Sequence, residues 1–421
     1  MKYQAPKGVK EYLPPESALF ERVREALMSP ARLANYQLME LAIFEDTEVF
    51  TRGVGESTDV VSKEMYTFTD RADRSLTLRP EGTAGVMRAV IESGMDRGQL
   101  PIKVFYSGPF FRAERPQAGR YRQFYQVGVE AIGSDDPLLD VEVISLALNG
   151  FSSLGLKGFE LVINSLGDGE SRANYRKALT EFLLTLKLDD ATKERAQINP
   201  LRVLDDKRPA MIEALRDAPV ILDFLNDSSL QDFVKVQEGL KSLGIAFSIN
   251  PKLVRGLDYY TKTTFEFIHP LLGAQSGIGG GGRYDGLMES LGGQPLSGIG
   301  FGIGVDRVLL ACQAEKIDIN NQLPLSCYII PIDSQYELQA LQLATDLRKK
   351  NLRVDIAFGE RSLKGSMKAA DKLGAGYVVV LGEREIASGS IEIKELAQGT
   401  TTSIRLADLS EFLTRGSGAL S

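Results

Sequence analysis

The sequence predicts an α+β protein: a β-rich body interrupted by a helical insertion at about residues 166–241 and followed by a separate C-terminal α/β domain. Three observations predict it. The stretch FYSGPFFRAERPQAGRYRQFYQVGVE, residues 105–130, alternates with period two on both sides of a turn-like Pro116–Gly119, as a pair of strands joined by a loop does. Between Leu166 and Lys241 the pattern changes to charged helical segments such as KALTEFLLTLK and SLQDFVKVQEGLKSL. Beyond the linker-like EKIDINNQLPLS, residues 315–326, strands and helices alternate (CYIIPI, YELQALQLATDLRKK, LRVDIAF, a helix from Leu363 to Leu373, YVVVLG), with two more strands near the end. The expected domains are therefore 1–325 and 326–421.

In chain order, Leu19, Phe20, Val23 and Leu27 recur at helical spacing, so a helix is expected over Ser17–Leu27, and a strand over Tyr36–Phe44. Met65–Phe68 and Ser75–Leu78 flank a hairpin turn. In RPEGTAGVMRAVIE, Pro80 and Gly82 end a strand, Thr83 is the expected N-cap, and a helix continues over Ala84–Glu92. That places Glu81 at a strand-to-helix junction, where a carboxylate can serve a ligand or complement the helix dipole. Asp135 or Asp136 caps a helix reaching about Leu154, and a strand follows at Phe159–Asn164. Strands return at Ile245–Asn250 and Thr263–Ile268, bracketing KLVRGLDYYTKT with Arg255, Tyr259 and Tyr260.

Within the 105–130 hairpin, Tyr125, Val127, Val129 and Ala131 share an apolar face, and Phe124, Gln126 and Glu130 share the other. Arg112 and Glu114 share a parity on the outgoing strand. If the polar sets lie on one side, the hairpin is either a solvated amphipathic ribbon or an anion site beside a flat slot for a base. Gly298, Gly300, Gly302 and Gly304 alternate along another strand, leaving room for a flat ligand or for close helix packing. Arg307 follows in the first helical turn, where the dipole favours anions. Gly277, Gly279 and Gly282 satisfy GxGxxG, but no strand–helix unit with a downstream acid surrounds them, so no dinucleotide fold is expected.

Composition excludes several classes. No apolar run approaches the eighteen or so residues of a membrane helix, and MKYQAPKGVKEYLPPES lacks a signal-peptide core. The two cysteines, Cys312 and Cys327, form no CxxC, so neither a zinc site nor a disulfide framework is expected, in keeping with a cytoplasmic location. The single histidine, His269, has no GxSxG beside it and is expected to be a loop residue. The net charge is −7, yet residues 346–372 hold eight basic residues (Arg348, Lys349, Lys350, Arg353, Arg361, Lys364, Lys368, Lys372) against four acidic ones. That stretch is a local basic face or an ordinary solvated surface.

FRAE with Phe124 downstream, and the alternating glycines ending in GVDR, resemble motifs 2 and 3 of the class II aminoacyl-tRNA synthetases. LRPEGT, ERPQAGRYRQF, LVRGLDYY and GGGGRYDGL look like the signature set of the histidyl-tRNA synthetase family. The resemblance runs from PKGVKEYLPPE to the C-terminal domain, which is similar to the family's anticodon-binding domain. The chain departs from the pattern at Ala42 (usually proline, in the family's dimer interface), at Asp306 (usually glutamate) and at Tyr125 (histidine in many relatives).

The resemblance implies a class II antiparallel-sheet catalytic domain and a two-step reaction. Histidine and ATP give histidyl-adenylate and pyrophosphate, and the acyl group then passes to the 3′ end of tRNA(His). It implies that Arg112 binds the α-phosphate and the histidine carboxylate, that Arg255 is the second α-phosphate contact and transition-state stabiliser, and that Arg307 holds the γ-phosphate. Phe124 would stack on adenine, with Glu114 near its amino group. Glu81, Gly82, Thr83 and Gln126 would line the α-ammonium site, and Glu130, Tyr259 and Tyr260 would read the imidazole. Arg115 and Gln117 would face the tRNA acceptor end. Mg²⁺ would bridge phosphates without side-chain ligands of its own, and the protein would be a homodimer with no membrane association. A free α-carboxyl, with a pKa of about 3.5, is already ionised at neutral pH, so the first step needs positioning and charge stabilisation rather than a general base. The rival with the same body, the regulatory subunit of ATP phosphoribosyltransferase, lacks the C-terminal domain and usually the LVRGLDYY arginine. A third reading is an RNA-binding or sensor protein with a synthetase-like body.

Overall fold

A computed structural model describes residues 3–55, 58–204, 206, 208–319, 325–359 and 362–417. Residues 320–324 of the linker, and Glu360 and Arg361 of the basic stretch, lie outside the described residues. The chain divides into two compact units, 1–320 and 321–421.

The strands of the first unit are β1 (Gln37–Leu38), β2 (Phe44–Asp46), β3 (Tyr66–Thr69), β4 (Ser75–Leu78), β5 (Ile102–Phe111), β6 (Gln123–Ile132), β7 (Glu160–Ser165), β8 (Ser248–Ile249), β9 (Thr261–Ile268), β10 (Gly277–Arg283) and β11 (Gly298–Gly304). Its helices are α1 (Glu16–Leu33), α2 (Thr47–Val54), α3 (Thr83–Ser93), α4 (Pro137–Ser153), α5 (Gly169–Leu184), α6 (Asp190–Ile198), α7 (Pro209–Ala214), α8 (Asp227–Ser242), α9 (Leu287–Ser290) and α10 (Val305–Ala314). Eight strands form one sheet in the order β1-β5-β6-β11-β10-β9-β7-β8. Its central pairings are antiparallel, and β1 and β8 join the edges in parallel. β2, β4 and β3 make a small separate sheet. The helical insertion comprises α5 to α8; α5 and α7 share an apolar cluster around Tyr175, Leu179 and Met211, whereas α8 packs Phe233, Val236 and Leu240 into the main core.

Alternation on β6 divides the large sheet's two faces. Val127, Val129 and Ala131 are fully buried in a cluster shared with Phe20 and Leu27 of α1, Ile144 of α4 and Val308 of α10. Tyr125 packs edge-on against Phe20, its ring centroid 5.1 Å away. The opposite face carries Tyr106, Phe110 and Ile132 against α2 and α3, together with Tyr259, Tyr260 and Tyr284. No helix among the described residues is long and apolar enough to cross a membrane.

Several expectations change. The strand over Tyr36–Phe44 is broken into β1 and β2, because the Arg79 guanidinium takes the carbonyls of Leu41 and Ala42 that a neighbouring strand would otherwise bind. α1 runs past Leu27 to Leu33 with Pro30 buried inside it. Only Ser248–Ile249 of Ile245–Asn250 is strand. Thr83 is the first helical residue rather than the cap: Gly82 holds the cap position, and the Glu81 carboxylate accepts from the amides of Thr83 (2.8 Å) and Ala84 (2.9 Å). Asp136 caps α4 by accepting from Leu138 N. His269 lies between β9 and β10 but is fully buried, its Nε2 2.9 Å from Glu315.

The second unit has a five-stranded sheet ordered β13-β12-β14-β15-β16. Its strands are β12 (Leu325–Pro331), β13 (Val354–Ile356), β14 (Ala375–Leu381), β15 (Ser390–Glu395) and β16 (Thr401–Arg405). Its helices are α11 (Glu337–Arg348), α12 (Leu363–Lys372), α13 (Glu383–Ser388) and α14 (Leu409–Ser417). β12, β13 and β14 are parallel, as crossover helices require.

One buried ion pair ties the main sheet to its helical layer. Arg283, at the end of β10, lies 2.7 Å from Asp140 of α4, both about 1% exposed. Its remaining donors reach Ser134 O (2.9 Å), Asp136 O (2.8 Å) and Ser297 Oγ (2.6 Å). Burial pushes the Asp140 carboxyl up to about 6 against the opposing pull of Arg283. Removing one partner leaves an uncompensated charge. Arg283→Met is expected to cost about 3–5 kcal/mol in denaturant unfolding, and Asp140→Asn added to it to recover part of that loss.

Candidate active site

The site lies on the sheet face that carries Gln126 and Glu130, and its floor is made of glycines. Gly128 on β6, Gly300 and Gly302 on β11, and Gly280 and Gly282 on β10 are lateral neighbours across three strands. A Cβ at Gly300 would overlap the Glu130 carboxylate, and one at Gly128 the Tyr106 ring. At Gly280 it would sit 2.9 Å from the Arg255 guanidinium, and at Gly282 2.9 Å from the Tyr260 ring. The alternating glycines thus divide in use. Gly298 and Gly300 make room for the protein's own Tyr284 and Glu130, whereas Gly302 and Gly304 border an open cleft. The GxGxxG match is simply β10, antiparallel to both neighbours.

The open cleft has Arg112, Phe124, Gln126, Arg255 and Arg307 on its walls. Arg112 and Glu114 do not sit on the strand as their parity suggested. β5 ends at Phe111, and Ala113 N turns away to Glu64 O (2.7 Å), so both residues belong to the connecting loop. Arg112 Nε donates to Pro80 O at 2.9 Å, and its guanidinium lies 5.5 Å from the Phe124 ring centroid. Burial pulls the Arg112 pKa down, opposed by Glu64 and Glu81. Arg307 donates to Gly119 O (2.9 Å) and Gly277 O (2.5 Å), which fixes it between the hairpin loop and β10. Arg255 lies 3.4 Å from Glu266 on β9. Burial opposes its charge, but Glu266 and the two tyrosines hold its pKa above the usual value. Arg120 pairs with Glu114 and reaches Glu64 at 3.7 Å. Arg115 and Gln117 are exposed on the loop outside this group.

Beside the cleft is a buried polar knot. Glu130, fully buried, accepts from Thr83 Oγ1 (2.8 Å), Tyr106 OH (3.2 Å) and Tyr284 OH (2.6 Å). Burial raises its pKa to about 8, despite those hydroxyls favouring the charged form. Glu81 accepts from Tyr259 OH at 3.3 Å as well as from the two amides, and burial raises its pKa too. Tyr259 and Tyr260 pack together with centroids 4.6 Å apart. Asp306 accepts from Tyr12 OH (2.5 Å) and Tyr125 N (2.8 Å), so the shorter carboxylate at this position braces the start of β6.

All the residues singled out from sequence except Arg115 and Gln117 meet in the cleft or the knot. Sequence reasoning missed Tyr106, Arg120, Glu266 and Tyr284. Tyr284 stood within a quoted motif, GGGGRYDGL, and Tyr106 shares the parity of Phe110. Glu266 had no local signal beyond alternation on β9.

Residues 8–308 match the family model described as histidyl-tRNA synthetase. The chain belongs to the histidyl-tRNA synthetase family. Residues 326–415 match the model of an anticodon binding domain. Among curated relatives, the histidine–tRNA ligase of Rhodococcus erythropolis is 60% identical over 404 residues, covering 96% of each chain. That of Mycolicibacterium vanbaalenii is 60% identical over 414 residues, covering 98% of each. The solved apo histidyl-tRNA synthetase of S. aureus superposes with a TM-score of 0.83 at 36% identity, over 98% of this chain and 99% of that one. A solved Bacillus halodurans chain described as an ATP phosphoribosyltransferase regulatory subunit/histidyl-tRNA synthetase shares the fold, with a TM-score of 0.65 at 23% identity.

The knot makes stability depend on pH. Between about 4.5 and about 8, folded Glu130 holds a proton that the unfolded chain does not, so its contribution is complete below the unfolded pKa and fades as pH rises through 8. Thermal melts from pH 5 to 9 are expected to show this fall in the wild type and a flatter profile in Glu130→Gln. Gly300→Ala, which drives a methyl into Glu130, is expected to cost about 1–3 kcal/mol in the same melts.

Proposed function

We propose that this chain is a histidine–tRNA ligase: it activates L-histidine with ATP and transfers it to tRNA(His). The observation that carries the reading is the convergence of Arg112, Arg255 and Arg307 on one cleft with Phe124, beside the buried Glu81–Glu130–tyrosine knot. Arg112, anchored on Pro80 O, lies between the two regions and holds the α-phosphate and the histidine carboxylate. Arg255 meets the α-phosphate from the other side and stabilises the charge that builds at phosphorus, leaving Glu266 as it does so. Arg307, at the first turn of α10, takes the γ-phosphate. Adenine stacks on Phe124, and Glu114 approaches its amino group.

The amino-acid end is built from the knot. Glu81, Gly82, Thr83 and Gln126 receive the α-ammonium, and Glu130, Tyr259 and Tyr260 read the imidazole, with Tyr284 fixing Glu130. A pocket of buried polar groups rejects analogues that leave those groups unpaired, by roughly 10⁴-fold or more. Arg115 and Gln117 face the tRNA acceptor end.

Among the described residues no group of three or more His, Cys, Asp or Glu side chains is placed to hold a metal. The cleft carboxylates Glu114 and Glu266 are engaged by Arg120 and Arg255. That donor set suits Mg²⁺ held mainly by phosphate oxygens, where it neutralises charge on the nucleotide. The chain works in the cytoplasm as a homodimer. The exposed Leu38, Ile43, Phe44 and Phe68 around Ala42 give that dimer an apolar contact surface. The basic residues of α11 and α12 contact RNA phosphates.

Histidine-dependent ATP–pyrophosphate exchange tests the activity, and exchange with none of the twenty amino acids would refute it. Arg255→Ala is expected to lower the single-turnover rate of adenylate formation by on the order of 10²-fold with an unchanged melting curve.

A further inference from the structure

The loop Leu253–Tyr260 carries Arg255, Tyr259 and Tyr260, yet it has no strand or helix of its own. Its main chain must be held by something other than a ladder. At its start, Leu253 N bonds Asn250 O (2.9 Å), and the fully buried Asn164 of β7 donates Nδ2 to Leu253 O at 3.1 Å. In its middle, Asp258 N bonds Val54 O (3.1 Å). At its end, the carbonyl of Tyr260 accepts from Arg172 Nη1 at 2.9 Å.

Arg172 stands in the first turn of α5 and so belongs to the helical insertion. A second insertion residue, Asn199, reaches Asp258 Oδ1 at 3.3 Å. The base of α5 is itself fixed: Asp168 caps Ser171 N (2.9 Å) and accepts from Asn226 Nδ2 (2.7 Å) at the start of α8. Asn164, Arg172, Tyr175 and Val254 meet between insertion and loop. The Tyr175 hydroxyl and Asn164 Oδ1 are buried there with no protein hydrogen-bond partner among the described residues. α8 of the insertion packs Phe233, Val236 and Leu240 into the main core, so the insertion is anchored to the body, and the Arg172–Tyr260 bond carries that anchorage to the end of the loop.

We propose that Arg172 is a positioning residue for amino-acid recognition: it fixes the Tyr260 main chain, and with it the Tyr259–Tyr260 pair, so that the helical insertion forms part of the histidine pocket. The inference rests on the histidine ligase reading. Arg172 is outside the cleft and touches neither proposed substrate. Arg112, Phe124 and Arg307 stand on other elements, and Arg255, which shares the loop, is also held by Glu266 on β9, so nucleotide binding depends on Arg172 less than histidine binding does. Without Arg172 the pocket must be ordered when histidine binds, and that cost falls on histidine affinity.

The test is pyrophosphate exchange by the full chain, with KM measured for each substrate. Arg172→Met is expected to raise the KM for histidine about tenfold and leave the KM for ATP within about twofold. Arg172→Lys, which keeps a donor for the carbonyl, is expected to recover most of the loss. Hydrogen exchange over residues 253–260 is expected to quicken in Arg172→Met while the β5–β6 amides stay protected. If Arg172→Met does not fold, Arg172→Gln takes its place. A folded variant with wild-type KM for histidine overturns the proposal, and so does an equal rise in both KM values. A wild type without histidine-dependent exchange refutes the ligase reading instead. Hydrogen exchange, which needs no substrate, then still decides whether Arg172 holds the loop.

Discussion

The active face depends on the absence of side chains at Gly128, Gly280, Gly282, Gly300 and Gly302. These positions on β6, β10 and β11 let Tyr106, Glu130, Tyr260 and Arg255 lie almost flat on the sheet. A methyl at any of them meets one of those groups within 3 Å, or at Gly302 narrows the space beside Gln126. The sheet therefore gives up packing on one face to become a platform. The opposite face compensates: Val127, Val129, Ile299, Phe301 and Ile303 are buried against α1, α4 and α10. The same strands serve as core on one side and as binding surface on the other because the side-chain period is two.

On that platform the buried carboxylates are unusual in being satisfied largely by hydroxyls and amides. Glu130 has three hydroxyls around it, and Glu81 has two amides and a phenol. Burial outweighs these contacts and keeps both pKa values high. Such groups are ready to exchange a hydrogen bond or a proton with an incoming polar ligand at small cost, whereas an arginine-paired carboxylate such as Asp140 is committed to the fold.

Much of this was legible in the sequence where the signal was local. Period-two alternation located the β5–β6 hairpin and its faces, and it told Val127 and Val129 from Gln126 and Glu130. Of the glycines at 298–304, read as room for a flat ligand or for close helix packing, Gly302 and Gly304 border the cleft while Gly298 and Gly300 admit Tyr284 and Glu130, and the order of short motifs identified the family. What failed was non-local. The Tyr36–Phe44 strand is interrupted by Arg79, about forty positions away in the chain, and no property of the stretch itself announces that. β5 stops at Phe111: Arg112 N still bonds Arg122 O across the hairpin, but Ala113 N turns to Glu64 O. His269 does lie in the connection between two strands, as expected; its local context did not show that it is fully buried beside Glu315. The site residues missed, Tyr106 and Glu266 among them, lie on strands whose alternation reads equally well as ordinary packing.

The arginines of the cleft are not bare charges awaiting a phosphate. Arg255 rests against Glu266, and Arg120 against Glu114. On the proposed reading, a phosphate oxygen reaching Arg255 displaces its built-in counterion Glu266. Because that counterion is a tethered glutamate and not free salt, this contact would depend less on ionic strength than one made by an arginine without a carboxylate beside it.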